Sequence, residues 1–334
     1  MSIRIGINGF GRIGKMIFKL AVNSPEIEVV HLNDRMDNKM MSHLLKYDSV
    51  HGRFDAEIDY DNDCLIVNGK KITVTHFPSP SEIPWDKSNV ETVIESSGRF
   101  KTRELLLGHI KNGAKKVILS SPSEDKSIDR TVVMGINHTE ITPTDRIVSN
   151  ASCTTNCVAM MIRVLDEVFG IQKALMNTVH PFTNNQNLQD GYHTDPRRAR
   201  SALNNIIPTS TSAIGAIHQI YPHLADCFDG IATRVPVADC SFVELYAHLK
   251  RKTTVNEINN AFSHYSETKL KSYLEYCSDP IVSSDVNNNT SSAIFDALST
   301  KVTGGDLVQI LAWYDNETGY SARIVDLVNY LSGL

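Results

Sequence analysis

Asn8-Gly9-Phe10-Gly11-Arg12-Ile13-Gly14 is the stretch of sequence that decides the fold. It follows an alternating apolar segment at residues 3–7 and precedes apolar residues at helical spacing, so it joins a strand to a helix. Its glycines satisfy the G-x-G-x-x-G spacing of dinucleotide-binding turns. Gly9 permits the tight turn, Gly11 lets a pyrophosphate approach the backbone, and Gly14 lets the helix pack on the strand.

An acidic residue follows the next strand and supports this interpretation. The strand Glu28–Leu32 ends in Asn33-Asp34, twenty residues beyond Gly14. A carboxylate there accepts both hydroxyls of the adenosine ribose and disfavours a 2′-phosphate. Asp34 therefore favours NAD over NADP, although the neighbouring Arg35 weakens this preference. The alternative is a purely structural glycine turn followed by a surface Asp.

Strand and helix patterns alternate up to residue 150, with strands predicted at Val90–Glu95, Thr131–Ile136 and Arg146–Val148 among others. This alternation is typical of an α/β fold, here a Rossmann-type doubly wound parallel sheet. Ligands bind at the carboxyl ends of such strands, so we expect Ser97, Gly98 and Ser121 to line the cofactor cleft. We assign residues 1–150 to an NAD-binding domain that the C-terminal helix, residues 320–334, completes.

The second half, residues 151–319, lacks strict βαβ alternation. Long strand patterns such as Ala174–His180 and Ile281–Val286 occur beside helices such as Val255–Tyr265, which Thr253 or Thr254 is expected to cap. This arrangement predicts an α+β catalytic domain with a mixed or antiparallel sheet.

The turn Ser149–Cys157 joins a short strand to a helix and places Cys153 near the first helical residue. Free backbone N–H groups and the helix dipole at that position stabilise a thiolate, which is the nucleophilic form of cysteine. The same N–H groups, with the hydroxyls of Ser152 and Thr154, can hold an anion. The alternative is an ordinary helix cap with an inert cysteine.

His180 ends a strand shortly after this helix and is a candidate base, whose imidazole would hold the Cys153 thiolate as an ion pair and later serve as general acid–base. The polar stretches that follow carry Thr183, Arg198 and Arg234, residue types that bind phosphate. The alternatives are a surface histidine and a solvated charged loop. A nucleophilic Cys, a His and an NAD site together suggest aldehyde oxidation through a thiohemiacetal and a thioester.

Composition limits the remaining function classes. The 334 residues are 41% hydrophobic and 21% charged, with a net charge of −5, so neither nucleic acid nor a membrane is expected as the main partner. The six cysteines form neither a disulfide framework nor a zinc pattern. We therefore expect a cytoplasmic protein without a bound metal.

Several stretches together resemble phosphorylating glyceraldehyde-3-phosphate dehydrogenases over the whole chain. They are Asn8–Gly14, Lys46–Gly52, Ser149–Cys157, Arg197–Arg200, Ile206–Thr211, Arg234–Pro236 and Trp313–Glu317 with Gly319-Tyr320. The stretches around Cys153 and Asn316 are highly specific in combination. The resemblance implies the family fold, a homotetramer and a glycolytic role in the cytosol.

The resemblance also implies residue roles. Cys153 would be the nucleophile and His180 the base, while Asn316 would orient the nicotinamide amide, with Tyr320 beside the ring. The substrate's phosphate would be held by Thr183, Arg198 and Arg234. The attacking inorganic phosphate would be held by Ser152, Thr154, Thr211 and Arg234, at a site that includes Ser212.

The chain departs from the family at three positions near these residues. The family usually has Asp where Asn185 stands, so the partner that orients Arg198 is expected to be weaker. It usually has Gly at Ser212 and Lys at Gly215. If that Gly supplied a positive φ or a close backbone approach, Ser212 would alter the attacking-phosphate site.

Two alternatives remain open at this point. Gly191-Tyr192-His193 resembles erythrose-4-phosphate dehydrogenase, a relative that releases the acid by hydrolysis. Thr183, Thr209 and Thr211 nevertheless retain the pattern of the glyceraldehyde enzyme, which we therefore favour. A binding protein is the alternative from another class, but the basic residues form no interleaved basic–aromatic patch.

Overall fold

The computed structural model describes residues 2–125 and 127–334, which divide into two compact units. The first unit comprises Met1–Val132, His138–Ala151 and Ser321–Leu334, and the second comprises Val133–Asn137 and Ser152–Tyr320. The sequence pattern placed Val133–Asn137 in the first domain, and the structure groups this segment with the second unit instead. Among the described residues, no helix has the length and apolar character needed to span a bilayer.

The described part of the first unit is organised around one nine-stranded sheet. Its elements are β1 (Ile3–Asn8), α1 (Arg12–Ala21), β2 (Ile27–Asn33), α2 (Asn38–Lys46), β3 (Tyr47–Asp48), β4 (Gly52–Arg53), β5 (Ile58–Tyr60), β6 (Cys64–Val67), β7 (Lys70–Thr75), β8 (Thr92–Glu95), α3 (Arg103–Lys111), β9 (Lys116–Leu119), β10 (Arg130–Thr131) and β11 (Ile147–Ser149). The strand order is β10-β11-β9-β8-β1-β2-β7-β6-β5. Strands β10 to β7 in this order are all parallel, which confirms the Rossmann-type sheet.

One edge of this sheet differs from the purely parallel prediction. Strand β6 pairs antiparallel with both β5 and β7, and Asn68-Gly69 joins β6 to β7 as a two-residue hairpin turn. Both turn residues have positive φ, 49° and 76°, as a type I′ turn requires. The predicted strand Thr131–Ile136 is also wrong beyond Thr131, because the Val133 N–H donates to the Asn137 side chain (2.8 Å).

The second unit contains an eight-stranded mixed sheet in its described residues, as the α+β prediction required. Its elements are α4 (Cys153–Phe169), β12 (Ile171–Pro181), β13 (Ile207–Thr209), α5 (Ala213–Ile220), β14 (Phe228–Val235), β15 (Ser241–Leu249), α6 (Val255–Glu267), β16 (Leu274–Cys277), β17 (Ala293–Asp296), β18 (Lys301–Thr303) and β19 (Leu307–Tyr314). The order is β13-β14-β12-β15-β19-β17-β16, with β18 on β19. The last helix, α7 (Thr318–Ser332), begins in this unit and continues into the first at Ser321.

Two local predictions in this unit have different outcomes. Thr254 caps α6 through a capping box with Glu257, so the predicted cap is confirmed. The predicted strand Ile281–Val286 is wrong, because Ser283–Val286 forms a 3₁₀ turn that the Asp285 carboxylate closes onto the Val282 N–H (2.8 Å).

Apolar side chains fix the two helices that matter for the site. Ile17 and Phe18 of α1 are fully buried in the first unit. In the second unit α4 packs against β15 and β19, and Met161 and Leu165 are fully buried. Each such side chain contributes about 1.5–3 kcal/mol when it leaves water. The buried side chains later in α1 and α4 therefore fix the position of the first turn of each helix.

Candidate active site

A cleft of about 220 Å³ in the first unit lies at the carboxyl ends of β1, β2 and β8. Its lining includes five of the residues predicted to bind the cofactor, which are Gly9, Gly11, Asp34, Arg35 and Ser97. The carboxyl edge of a doubly wound sheet is where such folds bind nucleotides. The cleft is therefore the candidate cofactor site of this unit.

The glycine-rich turn fits a dinucleotide for three separate reasons. Gly9 has φ +93°, and a Cβ on it would lie 2.4 Å from the backbone nitrogen of Ser97. A Cβ on Gly14 would lie 2.0 Å from the carbonyl oxygen of Gly9, so only glycine lets α1 pack here. A Cβ on Gly11 would meet open space, and no side chain caps α1. A pyrophosphate can thus approach the backbone at the N-terminus of α1.

Asp34 is held in the cleft by the backbone. Its Oδ2 accepts from the Phe10 N–H (2.6 Å) and its Oδ1 accepts from the Met36 N–H (2.9 Å). A carboxylate fixed in this way retains lone pairs for ribose hydroxyls. The residues therefore fit NAD.

The other residues of the glycine motif support the turn with their side chains. The ring of Phe10 is buried edge-on against Phe18, and Arg12 forms an ion pair with Asp48 (2.8 Å). The remaining predicted cofactor residues outside the cleft lining are Ile13, Gly98 and Ser121. Ser121 accepts a hydrogen bond from Ser149 through its carbonyl (2.7 Å).

A second cavity, of about 400 Å³, lies within the second unit. The predicted residues that line it are Ser152, Cys153, Thr154, His180, Arg198, Thr211, Ser212 and Arg234. Thr183 does not line it, and its N–H lies 3.4 Å from the Gln186 side chain. Residues that the motifs did not single out also line it, among them Thr178 and Ser210.

Cys153 is the first residue of α4, as the apolar pattern predicted. Ser152 caps this helix by accepting from the Thr155 N–H (3.1 Å). The sulfur of Cys153 lies 3.5 Å from Nε2 of His180. The turn and β12 thus bring a thiol and an imidazole together across 27 positions of sequence.

Two partners compete for the other ring nitrogen of His180. Nδ1 lies 2.9 Å from the carbonyl oxygen of Pro181 and 2.5 Å from Nη1 of Arg234, its register partner on β14. If Nδ1 carries the proton, it donates to Pro181 and Nε2 can accept a proton. If Nδ1 accepts from Arg234, Nε2–H points toward the sulfur. The same ring can therefore accept a proton or stabilise a thiolate.

Charge and burial set the protonation of this pair. Burial, together with the charge of Arg234, lowers the pKa of His180 to about 3, so the ring is neutral near pH 7. Burial raises the pKa of the Cys153 thiol, whereas Arg234 and a hydrogen bond from the Thr154 backbone N–H lower it. The positive charge that favours the thiolate is thus Arg234, which differs from the predicted imidazolium–thiolate pair.

Arg198 is oriented on the opposite side of the cavity despite the missing aspartate. Its Nη1 donates to Oδ1 of Asn185 (2.9 Å), Nη2 donates to the Ser210 carbonyl (3.1 Å), and Nε lies 3.3 Å from Asp195. Asn185 therefore still orients Arg198, but it adds no negative charge. A guanidinium held in this way favours a bound phosphate.

The two remaining departures leave the backbone undisturbed. Ser212 has φ −70° and ψ −10°, so its position does not require a glycine. A Cβ on Gly215 would meet open space, so no packing constraint demands a glycine there either. Thr211 accepts from the Ala213 N–H at the start of α5 (3.2 Å), and its own proton remains available to a ligand.

A buried chain of hydroxyls beneath Cys153 was not predicted. Thr178 donates to the Phe242 carbonyl (3.1 Å), so Tyr314 must donate to Thr178 (2.9 Å), and Thr154 to Tyr314 (2.9 Å). Burial raises the pKa of Tyr314, which keeps its proton in this chain. The contacts of Tyr314 with Thr178 and with Thr154 link residues 136 and 160 positions apart, so no local pattern indicates them.

The two residues expected beside the nicotinamide lie near the end of the second unit. Oδ1 of Asn316 accepts from the Ser241 hydroxyl (2.9 Å), which fixes the amide and leaves its Nδ2 as a donor. Tyr320 is buried in the first turn of α7. Their predicted roles stay predictions.

The first unit has a nucleotide-binding sheet with a glycine-rich turn, and the second has a cysteine–histidine pair and two arginines. Together these features define an NAD-dependent oxidoreductase of aldehydes. The model of the glyceraldehyde 3-phosphate dehydrogenase NAD binding domain matches residues 3–103, and that of the C-terminal domain matches residues 152–316. The chain belongs to the glyceraldehyde-3-phosphate dehydrogenase family.

Curated relatives agree with the family models. The chain is 47% identical over 333 residues to glyceraldehyde-3-phosphate dehydrogenase 1 of Bacillus subtilis (strain 168), a match that covers 99% of both chains. Identity and coverage are the same for glyceraldehyde-3-phosphate dehydrogenase of Geobacillus stearothermophilus. The predicted family, the enzyme class and NAD as cofactor are thereby confirmed.

Proposed function

We propose that the protein catalyses the reversible, phosphate-dependent oxidation of D-glyceraldehyde 3-phosphate to 1,3-bisphosphoglycerate. The observation that carries this proposal is the cavity in which Cys153 lies 3.5 Å from His180 and two guanidinium groups, of Arg198 and Arg234, line the wall. One cationic group suits the substrate's phosphate, and a second suits the phosphate that attacks. The names of the relatives support the same substrate.

The proposed chemistry begins and ends at the sulfur of Cys153. The Cys153 thiol gives its proton to Nε2 of His180 and the sulfur adds to the aldehyde carbon, so that a C–S bond forms. Nε2 then passes the proton to the former carbonyl oxygen, which gives a thiohemiacetal. Nε2 of His180 then removes that hydroxyl proton while the hydride leaves the carbon, and a thioester results. NAD, when bound, supplies the hydride acceptor. A phosphate oxygen attacks the thioester carbon, the C–S bond breaks, and an acyl phosphate and the thiolate are released.

The remaining site residues receive proposed roles in binding. Thr183, Arg198 and Arg234 hold the substrate's phosphate, and Asn316 and Tyr320 place the nicotinamide. The inorganic phosphate binds at Ser152, Thr154, Thr211 and Arg234, with Ser212 at the edge. Thr183 is the least supported member, because it does not line the cavity of the second unit.

A side-by-side assay of two aldehydes tests this function. We expect NADH formation from glyceraldehyde 3-phosphate to require inorganic phosphate, because hydrolysis cannot replace phosphate as the nucleophile efficiently. Erythrose 4-phosphate should be oxidised more slowly. The proposal fails if omitting phosphate leaves the steady-state rate unchanged, or if erythrose 4-phosphate has the higher kcat/KM. The second outcome would establish the erythrose-4-phosphate activity that the Gly191–His193 segment resembles.

We also propose a cytoplasmic homotetramer that assembles through an open face of the second sheet. Leu175 lies opposite Tyr246 on this face, and Ile231 lies on the next strand. These three side chains are 60%, 39% and 50% exposed. Exposed apolar side chains in adjacent positions are typical of subunit interfaces.

Sedimentation velocity tests the assembly. The protein should sediment at four times the chain mass of 37.1 kDa, and Leu175→Glu with Tyr246→Glu should yield smaller species because each subunit would bury two new charges. Leu105→Glu, at an exposed position of α3, is the matched control and should remain tetrameric. A monomeric wild-type protein would contradict the proposal.

A further inference from the structure

Glu95 is a buried carboxylate outside the catalytic cavity to which the proposed chemistry gives no role. It is the last residue of β8 and only 1% exposed. Its Oε1 accepts from the N–H (2.8 Å) and the hydroxyl (2.5 Å) of Ser97. Its Oε2 accepts from Nδ2 of Asn8 (2.5 Å) and lies 3.0 Å from Nε2 of His109. Four polar contacts thus converge on one side chain in the core of the first unit.

The direction of the His109 contact is fixed by Trp85. The indole N–H, which can only donate, lies 3.0 Å from Nδ1 of His109. Nδ1 therefore accepts, and the ring proton of the neutral imidazole resides on Nε2, where it is donated to Glu95. Each of the four groups around Glu95 can therefore donate to one of its two oxygens.

This carboxylate connects two turns that line the cofactor cleft. One oxygen holds Asn8, at the end of β1, and the other holds Ser97, after the end of β8. The two turns are in direct contact, since a Cβ on Gly9 would lie 2.4 Å from the Ser97 nitrogen. Ser96 adds a further link by donating to the Gly9 carbonyl (2.7 Å). The position of the glycine-rich turn relative to Ser97 therefore depends on Glu95.

The hydroxyl of Ser97 has no proton left to donate to a ligand in this arrangement. Its proton is donated to Glu95, and its oxygen accepts from the Arg99 N–H (3.2 Å). Ser97 was predicted to bind the cofactor and lines the cleft, and its hydroxyl proton is donated to Glu95. Its role towards the cofactor stays a prediction.

We propose that Glu95 is a positioning residue for NAD, which holds the Asn8–Gly11 and Ser96–Gly98 turns at the separation that the dinucleotide requires. The inference rests on the cleft of the first unit being the NAD site. It does not depend on the identity of the aldehyde.

Glu95→Gln tests the proposal because the amide has the same shape and one acceptor oxygen fewer. The amide N–H₂ must then face either Ser97 or the pair Asn8 and His109. In either orientation an N–H₂ donor of the glutamine faces groups that also donate, so the hydrogen bonds on that side are lost. We expect the Kd for NAD, measured by calorimetry, to rise about tenfold, with kcat at saturating NAD within about twofold of wild type. Alkylation of Cys153 by iodoacetamide should be unchanged. If Glu95→Gln does not fold, Ser97→Ala replaces it in the test. This variant removes a single hydroxyl that donates to Glu95, and it should weaken NAD binding by less than about tenfold.

Trp85→Phe is the matched control for loss of stability. It removes the donor to His109 and shrinks a fully buried side chain, but it leaves the contacts of Glu95 with Ser97 intact. Its melting temperature should fall while its Kd for NAD stays within about twofold of wild type. If Trp85→Phe weakens NAD binding as much as Glu95→Gln does, the effect is general destabilisation and the inference is overturned.

A third variant separates failure of the inference from failure of the cleft assignment. A side chain at Gly11 would project into open space, so Gly11→Val should block the pyrophosphate without a clash inside the protein. If Gly11→Val abolishes NAD binding and Glu95→Gln does not affect it, the cleft assignment stands and the positioning role is wrong. If Gly11→Val binds NAD normally, the cleft assignment is wrong and the inference is overturned with it.

Discussion

Replacing Cys153 by serine is expected to lower kcat by about 10⁴-fold or more, because nucleophilic side chains of this kind dominate the reactions that pass through them. A serine hydroxyl in the same place ionises far less readily than a thiol, and neither Arg234 nor the first turn of α4 can offset that difference. NAD binding should remain at the wild-type level, because the cofactor cleft of the first unit does not contain Cys153. The measurement is NADH formation under saturating substrate, with the Kd for NAD determined in parallel.

Cys157→Ser provides the matched control for this prediction. Cys157 lies one turn further along α4, is fully buried, and contacts the Ala312 carbonyl through its sulfur (3.8 Å). Burial raises the pKa of Cys157 well above its ordinary value, which leaves it an unreactive thiol. We expect this variant to retain activity within about tenfold of wild type, because it loses packing and no reacting group. Substantial activity of Cys153→Ser, or inactivity of Cys157→Ser alone, would show that the nucleophile has been assigned to the wrong residue.

The parts of the fold that sequence could predict are those governed by local stereochemistry. Position 9 must be glycine because it contacts Ser97 closely, and position 14 must be glycine because it contacts the Gly9 carbonyl closely. Each constraint is visible in the sequence as a glycine at a fixed spacing. The start of α4 at Cys153 follows from a small polar turn before an apolar helical pattern. The hairpin at Asn68-Gly69 also had a local signal, the Asn-Gly pair, and its significance was missed.

The parts that sequence could not predict depend on contacts between distant segments. Glu95 carries no motif, and its role becomes visible only when Asn8 and His109 are seen to donate to it. The positive charge beside the thiolate comes from Arg234 and not from an imidazolium. Arg234 reaches this place because it lies opposite His180 in the register of β12 and β14. Asn185 shows the same limit: the sequence indicated a weakened partner for Arg198, whereas the folded loop supplies Asp195 and the Ser210 carbonyl as well.

Replacing His180 by asparagine is expected to lower kcat by about 10²–10⁴-fold, the range typical for removal of a general base. Above about pH 4 the imidazole is already in its basic form, because its pKa is lowered to about 3 by burial and by Arg234. Protonation of His180 therefore cannot account for an acid limb near neutral pH. The rise of activity with pH belongs instead to ionisation of the Cys153 thiol, and burial, which raises the pKa of that thiol, shifts this rise to higher pH.

The pH dependence of Cys153 alkylation separates the two roles of His180. In the wild-type protein Nε2–H can donate to the sulfur across 3.5 Å, and a hydrogen bond to the charged form favours the thiolate. His180→Asn should therefore move the alkylation midpoint to higher pH, in addition to slowing turnover. Ser210→Ala is the matched control, since Ser210 lines the cavity and its hydroxyl contacts Arg198 (3.4 Å), and it should leave the midpoint nearly unchanged. An unmoved midpoint in His180→Asn would exclude the hydrogen bond to the thiolate, and an unreduced kcat would exclude the base. Loss of both effects would mean that the proton passes to another group of the cavity.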